Sequence, residues 1–324
     1  VTIVNQILSS IVDGMRADRV DSIRLAAVVA LNNSLEFTQA NFENAVERDA
    51  IIRAVCEASQ AQSDFQIRAR AFECFATIGE LYYDKLQPYV ETMFNLSVNA
   101  LRSDKEEVGM QVLELWNTIS DMEISIKQDI DDGDANREQL LNLTATASPT
   151  LVPMLLEHMT KQEEDEEGGE NWNIATASAT LLEGIARTIE DGIVDMVLPF
   201  VTQNINNANW HLKEAAVMAF GTILDGPSSD KLSPLVMQAM PILINCLKDP
   251  TTLVRNTSAW TIGRICEMHK NALTNDVIPS MVAGLAAALE DPAPKVVGMA
   301  CYGVHSLAEA CEDESEAASN LLSH

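Results

Sequence analysis

A run of carboxylates is the most chemically distinctive segment of the 324-residue sequence. The run spans Glu163, Glu164, Asp165, Glu166, Glu167 and Glu170, with two glycines before the last of them. Trp172 follows at once. Such a run can hold a cationic segment while the indole stacks on lysine or arginine stems. A solvated loop without a partner is the alternative interpretation, and the sequence leaves it open.

Metal binding is poorly supported by the other polar clusters. The acidic stretch Asp129 to Asp134 includes Gly133, but Gln128 and Ile130 stand where a calcium loop places oxygen ligands. The five histidines are never four residues apart, and the six cysteines form no CxxC pair. We therefore expect no metal and no cofactor, and we expect the cysteines to be reduced core residues.

Catalytic motifs are also missing from the sequence. It contains no GxSxG, GxxxxGK[ST] or HExxH pattern and no cysteine and histidine in a plausible catalytic order. Carboxylates are so abundant that their proximity carries no information. An enzyme or enzyme regulator acting through these carboxylates would need a concave pocket with converging titratable groups, which the sequence does not suggest. The sequence predicts a binding protein and no enzyme activity.

The charge balance narrows the class of partner. Asp and Glu number 48 against 21 Lys and Arg, which gives a formal net charge of -27. Nucleic acid and anionic membranes would be repelled, whereas basic proteins would be attracted. No apolar run approaches the ~20 residues of a membrane span, so membrane insertion and a signal peptide are not expected. The chain is expected to be soluble and intracellular, and its start at Val1, inside an apolar-periodic stretch, predicts a piece of a longer protein.

Trp260 is a second candidate for binding. Its helical neighbours are polar: Asn256, Thr257, Thr261 and Arg264. An indole in a polar stripe is typical of a binding hot spot, although packing against an adjacent repeat remains an alternative. Trp116 shares a helix face with Val112 and Leu113 and is expected in the core.

Repeated helix pairs must position these residues. Four segments align without gaps, each with an aliphatic residue followed by a cation: Ile23-Arg24, Ile67-Arg68, Leu212-Lys213 and Val254-Arg255. Weaker copies begin at Val108 and Ile174. The step from Lys213 to Arg255 is 42 residues, as is the step from Val254 to Val296. This period lies in the range of HEAT and armadillo repeats and predicts about seven units.

An aspartate before each unit's second helix is expected to cap that helix. These aspartates are Asp21, Asp64, Asp104, Asp249 and Asp291. Apolar periodicity places the first helices at about 1–15, 43–59, 86–101, 147–160, 193–206, 232–247 and 274–289.

The predicted fold is an all-α solenoid of about seven HEAT repeats, with paired antiparallel helices in a right-handed superhelix. We expect one solenoid over residues 1–324. An acidic loop at 161–171 should separate the two helices of one repeat. A long acidic connection at about 121–146 should separate two repeats.

Several segments resemble the importin-beta family of nuclear-import karyopherins. The most specific lie in the stretch Trp210 to Glu267: Glu214-Ala-Ala-Val-Met-Ala-Phe-Gly221, Pro234-Leu-Val-Met-Gln-Ala-Met-Pro241 and Ser258-Ala-Trp-Thr-Ile-Gly-Arg-Ile-Cys266. Residues 33–38, 151–154 and 306–310 agree with the family in the same order. The resemblance covers essentially the whole chain and implies the middle of the N-terminal half of a family member, from about the fourth or fifth to the eleventh repeat.

The resemblance implies three contact surfaces. The acidic run from Glu163 to Glu170 would touch Ran in its GTP form and lie near basic import signals. Trp172, Glu214 and Trp260 match positions that receive a basic segment of importin-alpha or basic cargo. The implied pocket for Phe-Gly nucleoporin repeats consists of Leu8, Ser9, Val12, Glu47, Ala50 and Ile51.

The resemblance also implies details of these contacts. Ala50 stands where the family commonly has phenylalanine and Val12 where isoleucine is usual, so the pocket is expected to be shallower. Binding to Ran-GTP is expected to be weak, because the first repeats of the family hold the main Ran contact and this chain matches later repeats. The implied location is the cytoplasm, the nucleus and the nuclear pore. The alternative function is a HEAT scaffold or adaptor unrelated to transport, which would not bind Phe-Gly peptides saturably.

Overall fold

The structure is a computed structural model that describes residues 2–163, 172–274 and 276–322. Throughout these ranges the regular elements are helices, and no strand occurs in them. The chain divides into two compact units, Val1–Leu151 and Val152–His324. Each unit consists of paired helices, as the apolar periodicity predicts.

In the first unit, the helices follow the predicted alternation of first and second helices. They are α1 (Thr2–Gly14), α2 (Asp21–Ser34), α3 (Gln39–Glu43), α4 (Ala45–Ala58), α5 (Phe65–Leu81), α6 (Val90–Ser103), α7 (Glu106–Asp132) and the start of α8 (Leu143–His158). The second helices α2, α5 and α7 pack against one another in order, and each packs on its own first helix. Short 3₁₀ turns at Leu35–Phe37, Tyr83–Lys85 and Arg137–Gln139 join them.

The second unit repeats the arrangement. Its helices after α8 are α9 (Ile174–Ile189), α10 (Gly192–Asn204), α11 (Trp210–Thr222), α12 (Ser229–Cys246), α13 (Thr252–Met268), α14 (Ile278–Ala288) and α15 (Pro294–Leu322), with a 3₁₀ turn at Lys270–Ala272. The second helices α9, α11, α13 and α15 pack in succession. Fully buried small residues such as Ala215, Ala216 and Ser258 allow their close approach.

Of the five predicted aspartate caps, Asp64 is confirmed. Asp64 accepts a hydrogen bond from the backbone N–H of Gln66, inside α5, at 2.8 Å. Asp249 and Asp291 also bind the N–H two residues later, at 2.9 Å, but that N–H belongs to the residue just before α13 or α15. Asp104 accepts instead from the adjacent N–H of Lys105 at 2.7 Å. The prediction for Asp21 is wrong, because α2 begins at this residue and no side chain caps it.

The core contains Trp116, as predicted, with only 1% of its surface exposed. Its indole makes an edge contact with Phe94, with ring centroids 5.9 Å apart. The cysteine prediction holds for Cys74, Cys246 and Cys266, which are buried. It is wrong for Cys301 and Cys311, which lie on exposed positions of α15. All six cysteines are free thiols.

The acidic connection is shorter than the predicted 121–146. Residues 121–132 extend α7, because Met122, Ile126 and Ile130 recur every fourth residue and are half-buried along one helix face. Gly133 ends the helix in the left-handed conformation, at a φ of 85°. The connection that remains is residues 133–142.

A buried carboxylate anchors the far end of this connection. Glu123 of α7 is fully buried and accepts hydrogen bonds from the backbone N–H groups of Leu143 at 2.5 Å and Thr144 at 3.2 Å. The hydroxyl of Tyr83 donates to the same carboxylate at 2.7 Å. Glu123 therefore satisfies the first free N–H groups of α8 from a different helix.

Candidate functional site

One cleft of about 420 Å³ in the first unit brings together all six residues of the predicted nucleoporin pocket. Leu8, Ser9 and Val12 come from α1, and Glu47, Ala50 and Ile51 come from α4. Their spacing places each group on one helix face, three or four residues apart. The two faces belong to the first helices of successive repeats.

The cleft has an apolar floor. Leu8 is 6% exposed and Ile51 is 2% exposed, so both side chains are fixed by the core beneath them. Val12 is half-buried, whereas Ser9 and Ala50 are exposed. The methyl group of Ala50 leaves space above Ile51 that a larger side chain would fill. An apolar side chain from a partner can reach this floor from solvent.

A fixed polar group borders the floor. The side-chain amide of Asn41 donates to Glu47 at 2.5 Å and to Asn5 at 3.0 Å. Asn44 caps α4 and also donates to the Glu47 carboxylate, at 3.2 Å. The orientation of Glu47 is thereby set before any partner arrives, and its carboxylate can accept a backbone N–H. Sequence reasoning missed Asn5 and Asn41, because no local pattern marks them.

In the second unit, the two predicted tryptophans differ in environment. Trp172 is 62% exposed and immediately precedes Asn173, which caps α9. Trp260 of α13 is half-buried, and its ring lies on the backbone of α11 at Gly221. A Cβ at Gly221 would lie 2.5 Å from Cζ3 of Trp260, so glycine is required for this approach. Trp260 thus packs against a neighbouring repeat and also keeps an accessible part.

The indole of Trp260 contacts a cation of the same helix. The guanidinium carbon of Arg264 lies 5.1 Å from the indole centroid. Arg264 also donates from Nη1 to Glu183 of α9 at 2.8 Å. Glu183 therefore belongs to this surface. No sequence pattern indicated it, because Glu183 and Arg264 are 81 residues apart in the chain.

Glu214 is not on the surface where a basic segment could reach it. Its side chain is 4% exposed and accepts hydrogen bonds from Thr257 Oγ1 at 2.6 Å and from Gln162 Nε2 at 2.5 Å. Burial raises the pKa of the Glu214 carboxyl, and the two hydrogen bonds oppose this shift. The carboxylate therefore holds parts of the fold together, and this structure does not support its expected direct contact.

The acidic run begins beside this network. Gln162 also donates to the backbone carbonyl of His211 at 2.8 Å, which ties the start of the run to α11. Glu163 is exposed. The remaining acidic residues of the run lie outside the described residues: Glu164, Asp165, Glu166, Glu167 and Glu170.

Comparisons with known proteins identify the relatives of this chain. Residues 210–265 match the HEAT-like repeat family. Importin subunit beta-1 of Arabidopsis thaliana is 41% identical over 321 residues, covering 96% of this chain and 37% of the relative. The chain is a homologue of importin subunit beta-1. The prediction of an all-α HEAT solenoid is confirmed.

Solved structures of importin-beta proteins support the same relationship. The Kap95:Nup1 complex matches with a TM-score of 0.90 and 35% identity, covering 94% of this importin-beta homologue and 36% of the matched chain. Kap95p bound to RanGDP matches with a TM-score of 0.89 and 34% identity, covering 94% and 35%. This homologue therefore spans little more than a third of the length of the relatives it matches.

Membrane-spanning helices and metal-binding clusters are both absent from the part of the chain that the structure describes. No helix there is long and apolar enough to cross a membrane. No group of three or more His, Cys, Asp or Glu side chains within it suits a metal ion.

Proposed function

We propose that this chain is part of a nuclear import receptor whose cleft between α1 and α4 binds the phenylalanine side chains of Phe-Gly nucleoporin repeats. The observation that carries the proposal is the convergence of six side chains on one cleft with an apolar floor at Leu8 and Ile51. The existence of a complex between Kap95 and Nup1 supports it.

The geometry suits a weak and rapidly reversible contact. A phenyl ring inserted above Ile51 would bury apolar surface, which would contribute at most about 1.5 to 3 kcal/mol to the binding free energy. A single contact of this strength dissociates quickly, whereas several contacts along one repeat chain add through effective concentration. Passage through a crowded pore requires this combination of many weak contacts.

A titration with a Phe-Gly peptide tests the proposal. Ala50→Asp introduces a charge at an exposed cleft position and leaves the buried floor residues unchanged. Ala45→Asp is the matched control, because Ala45 is exposed on the same helix but does not line the cleft. We expect saturable binding by the wild type and the control, and loss of binding in Ala50→Asp and with a Phe→Ser peptide. Equal binding by both variants would exclude this cleft, and no binding by the wild type would favour a scaffold unrelated to transport.

The second unit is proposed to bind a basic segment, such as one from importin-alpha or a basic cargo. The net charge of -27 attracts such a segment, Trp172 and Glu163 are exposed, and Trp260 is half-buried with an accessible part. Glu214 acts indirectly in this proposal by joining Gln162, next to the acidic run, to Thr257 of α13.

Regulation by Ran and passage between cytoplasm and nucleus at the pore complete the proposal. The complex of Kap95p with RanGDP supports a Ran contact in the family. For this chain we propose weak binding to Ran-GTP through the acidic run. Tight stoichiometric binding of Ran-GTP in a calorimetric titration would contradict the weak contact.

A further inference from the structure

Arg264 occupies the surface of Trp260 to which a partner's cation would bind. Its guanidinium carbon lies 5.1 Å from the ring centroid, and the whole residue is only 7% exposed. Trp260 also packs against the α11 backbone at Gly221, so both Gly221 and Arg264 cover part of its ring. An arginine of this chain therefore makes the contact that an arginine of a basic partner would make.

The same side chain also pairs with a carboxylate on α9, which is separated from α13 by the second helix α11. Arg264 Nη1 donates to Glu183 Oε1 at 2.8 Å, which links α13 to α9 past the intervening α11. In a HEAT stack each repeat packs mainly on its neighbours, so a link between alternate repeats adds a separate constraint. Glu183 keeps 36% of its side chain exposed and is accessible to a partner.

The hydrogen bonding of Arg264 is incomplete. Its buried Nε has no hydrogen-bond partner among the described residues, and Nη2 reaches only the sulfur of Met268 at 3.7 Å. Arg255 of the same helix shows the contrast, since Nε and Nη2 both bind Asp291 and Nη1 binds two backbone carbonyls. A guanidinium with unused donors is held less firmly than one whose donors are all bonded.

We propose that Arg264 is a displaceable internal competitor for the cation site formed by Trp260 and Glu183. A basic partner binds by placing its own guanidinium on Trp260 and against Glu183, and Arg264 leaves. Displacement also breaks the link between α9 and α13. The inference rests on the proposed binding of a basic segment at Trp260 and adds which residue limits the strength of that binding.

The competition favours arginine over lysine in the partner. A guanidinium can stack on an indole and pair with a carboxylate in one planar arrangement, and Arg264 contacts both Trp260 and Glu183. A lysine ammonium has no planar surface to stack and replaces only part of the contact that is lost. Both peptides displace Arg264 at the same cost, so the ratio of their affinities should stay the same in Arg264→Met while both affinities increase.

Binding of a fluorescent arginine-rich peptide, compared with its lysine counterpart, tests the inference. Arg264→Met removes the guanidinium but keeps most of the stem. Arg187→Met is the control, because Arg187 lies on α9 and pairs with Asp225 at 3.4 Å, with both side chains more than 40% exposed. Each variant removes one positive charge from the second unit. Circular dichroism and thermal unfolding establish that each variant is folded.

We expect Arg264→Met to bind the arginine peptide about tenfold more tightly than the wild type. The control should gain less than about threefold, and its gain should vanish at about 0.5 M salt, where surface charges are screened. Arg264→Lys retains the charge, and its gain in affinity should lie between those of the control and Arg264→Met. This variant still tests the inference if Arg264→Met is unstable.

Two other results would overturn the inference. If the wild type binds but neither Arg264 variant binds more tightly than the control, Arg264 does not compete, and the proposed basic-segment site survives. If no protein binds the peptide saturably, the inference and the proposed basic-segment site both fail.

Discussion

Arg255 and Asp291 form a paired hydrogen bond across two repeats, with Nε at 2.6 Å and Nη2 at 3.0 Å from the two carboxylate oxygens. Arg68 and Asp104 form the same paired contact at 2.5 Å, and Lys213 binds Asp249 at 2.7 Å. Each cation lies near the start of a second helix, and its partner lies 36 residues later. The aspartate of each pair also binds a backbone N–H at the start of the following second helix.

These pairs should make stability depend on acid pH. The hydrogen bonds from Arg255 lower the pKa of Asp291, and those from Arg68 lower the pKa of Asp104. At Asp249 burial alone would raise the pKa, but the bonds from Lys213 and Thr251 outweigh it and the net shift is downward. A carboxyl with a lowered folded-state pKa stabilises the fold above its unfolded pKa of about 3.9, and this contribution is lost as the pH falls through the folded value.

Asp291→Asn tests this dependence, because the asparagine oxygen can still accept from the N–H of Ala293. We expect a loss of about 2 kcal/mol in the free energy of unfolding at neutral pH, measured in urea. The loss should shrink as the pH falls below about 4. Asp195→Asn is the control, since Asp195 pairs with Lys231 over the same spacing but is 78% exposed. A loss for Asp291→Asn that stays constant down to pH 3 would refute the linkage.

Glu123→Ala should destabilise the first unit by about 3 kcal/mol or more. The substitution leaves the N–H groups of Leu143 and Thr144 and the hydroxyl of Tyr83 without their acceptor. Glu123→Gln keeps one acceptor oxygen and should cost less. Hydrogen exchange at Leu143 and Thr144 should accelerate in the same order as the losses. Unchanged exchange in Glu123→Ala would show that another group caps α8.

The helix boundaries were largely predictable from the sequence because each first helix has its own apolar period. The prediction of 232–247 compares with α12 at Ser229–Cys246, and 193–206 compares with α10 at Gly192–Asn204. The end of α7 was not predictable in this way. Its acidic composition between 121 and 132 obscured the weaker period of Met122, Ile126 and Ile130.

The candidate sites were predictable only in part. The family resemblance grouped Leu8 with Ile51. Nothing in the sequence alone indicates that these two residues lie on the same surface. The burial of Glu214 was not predictable, since its partners Gln162 and Thr257 lie 52 and 43 residues away. Long-range pairs of this kind leave no local periodicity, so they emerge only when the helices are placed.

Trp172→Ala should weaken binding of a basic peptide by about tenfold. The indole is 62% exposed, so its removal disturbs little of the core, and a cation–π contact contributes about 0.5 to 2 kcal/mol. Phe37→Ala is a suitable control, because Phe37 is 74% exposed and belongs to the first unit. Fluorescence anisotropy of a labelled peptide gives both affinities. Equal affinities of the two variants would remove Trp172 from the proposed site.

Ala50→Phe should strengthen binding of a Phe-Gly peptide by about three- to tenfold. The added ring would extend the apolar wall beside Ile51 and Val12 and cover more of the bound phenyl group. Ala45→Phe adds the same ring outside the cleft and should leave the affinity unchanged. Isothermal titration calorimetry compares the two. A weaker complex with Ala50→Phe would show that the new ring fills the cleft itself.

Gly221→Ala should cost about 1 to 3 kcal/mol, because its Cβ would overlap Trp260 and Thr261. Gly298→Ala provides an opposite control. Gly298 lies in α15 with no atom within 4 Å of a built Cβ, so alanine there should stabilise the helix by about 0.5 to 1 kcal/mol. Thermal unfolding distinguishes the two signs. A neutral Gly221→Ala would mean that Trp260 can move away without loss.

The contact between Trp260 and Gly221 occurs again one repeat later, where Tyr302 of α15 lies against Gly263 of α13. Both glycines are 42 positions apart in the chain, as are both rings. Duplication of a whole repeat would copy a ring together with a matching glycine and would recreate a compatible junction at once. Insertion of one residue within the helix that carries the ring would rotate the ring away from its glycine and break the junction. Lineages of this protein should therefore gain or lose length in complete repeats, with smaller changes confined to the connections between helices.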